Sequence, residues 1–196
     1  MLLKQLSPED KRIFLSIAEL LTLADKPVSR NDTETTRGGG AHPSFSTTLF
    51  IHREQRDLDA INELVWQCDL SSNGKMFALF TGARNANHIE NAMLKRLDKL
   101  PVGTLEDAAA RATAAFDVLR DIVKGQQAAT PAVPKVMLFE LMLLALAQGT
   151  ISAITWQLLD EVKYHYQLEN HVFTDLLERA QCTHREAQKT LAIILE

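Results

Sequence analysis

The residues of this chain with chemistry in them are six histidines, two cysteines, scattered carboxylates and one glycine run. His165 and His171 flank Gln167-Leu168-Glu169, with Tyr164 and Tyr166 nearby. Neutral imidazole and carboxylate are standard zinc ligands, so this is where a metal or acid–base cluster would be sought. The spacing crosses a helix break, however, and neither a His-x3-His pair nor an HExxH motif occurs. Surface or helix-end histidines are the better reading here, and His42, His52, His88 and His184 have no obvious partner along the chain. Cys68 and Cys182 lie far apart with no second Cys or His at ligand spacing, which points to idle thiols rather than a disulfide or metal framework. Arg37-Gly38-Gly39-Gly40 would suit a phosphate cradle, but it lacks the Gly-Lys-Ser/Thr ending and a preceding apolar strand. Ser44 and Ser46 sit in the same polar stretch, outside any GxSxG elbow. Glu140 is the one charge in the most apolar helix. A buried carboxylate marking a site is the sharper reading, and a solvent-facing residue or one paired with Arg111 or Arg120 is the plainer and favoured one.

The elements that would position these groups are helical. Ser7-Pro8-Glu9-Asp10 opens a helix with a cap, a proline at its first position and acids at the positive end of the dipole. Apolar residues then recur every three or four positions from Ile13 to Ala24, and Pro27 stops the helix. Residues 29–48 are rich in Asn, Asp, Thr and Ser and read as a long flexible loop, because three glycines without an apolar anchor cost too much backbone entropy to order. Helical periodicity returns over about 51–68 and 87–100. A turn at Ser71–Gly74 and a short apolar stretch at 75–84 lie between them. Thr104 is placed to cap an Ala-rich helix ending near Lys124-Gly125. Past a linker at 126–134, helices are expected over about 135–147, 152–166, 169–180 and 183–195, with Ser152 and Thr183 as caps. The expectation is an all-α bundle of about seven to eight helices in a single domain spanning 1–196. Its first half is 1–125, including the loop, and its second half is 135–196.

Bulk properties narrow the function. A net charge of -4 offers no basis for sequence-independent nucleic-acid binding, which needs Lys and Arg to neutralise phosphates. The most apolar run, Val136 to Ala147, is shorter than the roughly 20 residues of a bilayer span and contains Glu140. The opening MLLKQLSPEDKR runs into charge within a few residues, so no secretory signal and no membrane insertion are expected, and the reading is a cytoplasmic protein. Trp66 and Trp156 each precede Gln in a helix; core packing is the plainer reading, and a ligand or partner groove lined by both is the sharper one.

An internal match is the most informative feature. Leu15–Ser29 aligns without gaps on Leu138–Ser152: each copy is an apolar helix, a short turn, an aliphatic residue and a Ser placed to cap the next helix. The helix ends read LLTLADKPVS (20–29) and LLALAQGTIS (143–152). This paired pattern resembles the TerB-like (tellurite-resistance B) family, over 6–29 and 136–196. The resemblance implies an all-helical fold and a bacterial, non-enzymatic stress-response or scaffold protein. It would act through contacts with an as yet unidentified protein partner or as a homo-oligomer. It also implies an alternative, a divalent metal ion held by acidic residues at the turns: Asp25, assisted by Asp32 and Glu34. The chain departs from the family pattern in having Lys26 where Gly is common and Gln148 in the acidic position.

Overall fold

The computed structural model describes residues 2–35, 44–68, 88–100 and 107–195. Among these are a short 3-10 helix (Leu2–Gln5), seven α-helices and one antiparallel hairpin, so the chain is predominantly helical as its periodicity implies. The helices are α1 (Pro8–Leu23), α2 (Gln55–Gln67), α3 (His88–Leu97), α4 (Ala108–Val123), α5 (Ala132–Ala147), α6 (Ala153–His165) and α7 (Asn170–Leu195).

Helix α1 begins in a complete capping box. The Ser7 hydroxyl accepts from the Asp10 amide at 3.1 Å, while the Asp10 carboxylate accepts from the Ser7 amide at 3.3 Å. Phe14, Ile17, Leu20 and Leu23 are then fully buried, and α1 packs against α2, α3, α4 and α5. Helix α5 is apolar almost all round, as a helix surrounded by others must be. It packs against α1, α6, α7 and the 3-10 helix. One contiguous cluster of buried side chains draws on every helix. Glu140 is buried within it rather than solvent-facing: its Oε1 accepts from the Leu2 amide at 3.0 Å, which supplies a partner that a buried carboxylate needs.

Several boundaries differ from the sequence reading. The segment expected as a loop over 29–48 carries strands β1 (Val28–Thr35) and β2 (Ser44–Ile51), paired from Val28↔Ile51 at the root to Thr35↔Ser44. Buried Val28 and Ile51 anchor that root, and the Thr residues of both arms, with Phe45 and Phe50 in β2, suit extended backbone. Consequently Ser29, expected as a helix cap, lies in a strand, and α2 starts four residues later than expected. Residues 36–43, with the glycine run, and the expected turn at 71–74, the stretch at 75–84 and Thr104 lie outside the described residues. Asp107 is itself the cap of α4, accepting from the Ala109 amide at 3.0 Å. Helix α5 begins at Ala132, since Pro134 falls in the first turn, where a missing amide costs nothing. Ser152 caps α6 as expected, accepting from the Thr155 amide at 3.1 Å. The two last expected helices are one, α7. Thr183 does not cap: its hydroxyl donates to the Arg179 carbonyl at 2.9 Å, and no Gly or Pro interrupts the run.

Candidate functional site

The two matched turns, which follow α1 and α5, face a common cleft of about 240 Å³ lined by Thr22, Asp25, Lys26, Glu54, Gln148 and Ser152, among others. The cleft holds its own cation. Lys26 Nζ lies 2.6 Å from Asp57 Oδ2, a close ion pair rather than a well-aligned hydrogen bond. It also donates to Glu54 Oε1 at 2.9 Å. Asp57 is only 3% exposed and accepts from Gln148 Nε2 at 3.2 Å, so the second turn also reaches the pair. Arg56 adds contacts of 2.8 Å to Glu54 and 3.9 Å to Asp57. Burial works to lower the pKa of Lys26, but Asp57 and Glu54 outweigh it and hold the ammonium above its usual range. The hydrogen bond from Lys26 pulls the Glu54 carboxyl below its usual range in turn.

The acids expected to bind metal fare differently from one another. Asp25 is exposed and lines the cleft. Asp32 and Glu34 sit on β1 opposite Thr47 and Phe45. At about 3.3 Å per strand residue the backbone carries them roughly 13 and 20 Å beyond Val28, so the extended strand spreads this set along the hairpin arm. Among the described residues no group of three His, Cys, Asp or Glu side chains is gathered as metal ligands would be. The acid that organises the cleft is Asp57, which sequence spacing alone could not single out: its partner Lys26 lies on another element, before the hairpin.

Trp66 and Trp156 do not fill the core. Trp66 is 71% exposed on α2. Trp156 is 41% exposed and meets Phe173 edge-on at 5.6 Å. Neither lines the cleft. Three histidines have partners, of which only Glu169 beside His171 was evident in linear spacing. His165 Nε2 lies 3.2 Å from the Gln126 carbonyl, and His171 Nδ1 lies 3.2 Å from Glu169. His52 Nε2 contacts Ser29 Oγ at 2.5 Å across the hairpin root. A Ser–His contact is the start of a nucleophile, but hydrolysis also needs a group orienting the second ring nitrogen and donors for an oxyanion. Among the described residues no hydrogen bond to His52 Nδ1 is formed, and the ring packs against Phe50 at 4.8 Å. The pair ties β1 to the end of β2. Cys68 is a buried thiol that burial pushes up to about 11, while Cys182 is exposed on α7.

Among the described residues, exposed large apolar side chains gather at the end of α7. Phe173 and Ala180 are buried and Leu176 and Leu177 pack on the core, but past Ala180 the helix continues with nearly every residue exposed. Leu191, Ile193, Ile194 and Leu195 are 49%, 73%, 70% and 83% exposed, four apolar side chains at the very end of the helix. Helix α7 has the length of a bilayer span but not the apolar character, and no described helix is both long and apolar enough to cross a membrane. Compared with known protein families, curated proteins and solved structures, the chain matches none.

Proposed function

We propose that this protein is a non-enzymatic, TerB-like module of stress-response or scaffold type that acts through protein contacts made by α7 beyond Ala180. The observation that carries the reading is the apolar overhang itself, since a helix end apolar on most sides is stable in water only when something covers it. The TerB-like part is supported by the two turns that bear the resemblance facing one cleft. The lysine in that cleft favours contact over metal binding as the mode of action, because the acids nearest it already have a cation. The test is complementation of a deletion strain under tellurite and peroxide stress. Wild type and the Ser29→Ala/His52→Ala variant should restore survival, and Leu191→Glu should not. Full rescue by Leu191→Glu would overturn the reading, and loss of rescue in the Ser–His variant would favour an enzyme.

A further inference from the structure

We infer that the surface covering the α7 overhang is the overhang of a second copy of this chain, packed antiparallel. This rests on the reading of α7 as the contact surface and names its occupant. The register of the helix points to it. Phe173, Leu177 and Ala180 face the core, and the same three- and four-residue spacing continues through His184, Ala187, Leu191 and Ile194 after the core has ended. The face that packs on α5 inside the chain thus runs on as a seam suited to another helix.

The seam is complementary to itself in one orientation. Antiparallel pairing about a twofold axis at Lys189 sets Leu191 against the other copy's Ala187, large against small, and Ile194 against its His184, so that no level is polar on both sides. Gln188 then flanks Thr190 of the other copy, an amide beside a hydroxyl. A parallel pair would stack Leu191 on Leu191 and Ile194 on Ile194, but it would leave a gap where Ala187 meets Ala187 and a polar pair where His184 meets His184. Charge points the same way. Glu178, Arg179, Arg185, Glu186 and Lys189 lie off the seam, and Lys189 is already paired with Glu186 at 2.8 Å, so no free charge on this face demands an oppositely charged partner. The mixture of signs also lacks the basic face that draws an amphipathic helix to anionic lipid. With about two heptads in contact, each copy would bury about 400–500 Å², roughly half of a standard interface, so the dimer is expected to be weak, with Kd near tens of micromolar.

The experiment uses the full chain. Sedimentation from about 1 to 500 µM should show a mass rising from 21.9 kDa toward twice that value. The Leu191→Glu variant should remain monomeric with unchanged far-UV circular dichroism. A nitroxide on exposed Cys182 then reports orientation. The antiparallel register offsets the two labels by about 21 Å along the axis, giving a separation of about 25–30 Å, whereas a parallel pair gives no offset and a shorter distance. Monomer at every concentration, association indifferent to Leu191→Glu, or the short label distance would each overturn the inference. The first of these leaves the contact reading standing, because full complementation by Leu191→Glu, not the absence of a dimer, overturns that reading.

Discussion

Replacing Lys26 with Met removes the cation from the cleft while keeping most of the side-chain volume. The carboxylate left behind, Asp57, is 3% exposed, and removing one partner of a buried ion pair typically costs about 3–5 kcal/mol. Two neighbours soften this: Gln148 still donates at 3.2 Å, and Arg56 is 3.9 Å away, though its side chain is 61% exposed and well screened. A loss of about 2–3 kcal/mol is therefore expected, which for a chain of this size lowers the Tm by about 4–12 °C. The pH dependence has a definite sign. The folded pKa of Lys26 is raised, so the pair's contribution is complete below the unfolded value and is lost as pH rises through the folded one. The difference between wild type and variant should accordingly be constant from pH 6 to 9 and shrink only in more alkaline solution. Adding Asp57→Asn to the variant should restore most of the lost stability, because an amide no longer leaves a charge buried without its cation. Urea unfolding followed by circular dichroism measures all three proteins. A cost below about 0.5 kcal/mol for Lys26→Met, or no recovery in the double variant, would refute the view of this pair as the tie between the two turns.

The core and the thiols give further expectations. Leu144, 7% exposed on α5, should cost about 2–5 kcal/mol when cut to Ala in the same unfolding assay. A thiol reagent should modify Cys182 rapidly in the native protein and reach Cys68 only on unfolding, since burial holds that thiol protonated with a pKa of about 11. Millimolar calcium, manganese or zinc should leave the melting temperature unchanged, because a ligand binding only the native state must raise it and Lys26 already serves Asp57 and Glu54.

Much of the bundle was legible because local signals and tertiary packing agree there. Ser7 and Ser152 cap where their spacing to the following apolar residues places them, and the apolar run around Leu138–Leu144 could only be a core helix. The hairpin was obscured because a two-stranded ribbon need not alternate polar and apolar residues. Asn31, Asp32 and Thr33 look like loop in sequence even while their backbones pair with Thr48, Thr47 and Ser46. Helix α7 was divided at Thr183 because a threonine can cap a helix or satisfy itself on the preceding turn, and only the structure distinguishes the two. The cleft was half legible: the matched turns marked its walls, but Asp57 joins them through contacts with Lys26 and Gln148 that no sequence spacing encodes.

A contact role for α7 requires that its face past Ala180 be free in the isolated chain. Hydrogen exchange of its amides, measured at about 1 µM so that weak association is suppressed, tests this directly. Amides of 170–180 should exchange slowly with the core, and those of 181–195 fast, since a helix of that length without packing is marginal in water. Uniform protection along all of α7 at that dilution would mean that its apolar end is already covered within one chain, and would contradict that role.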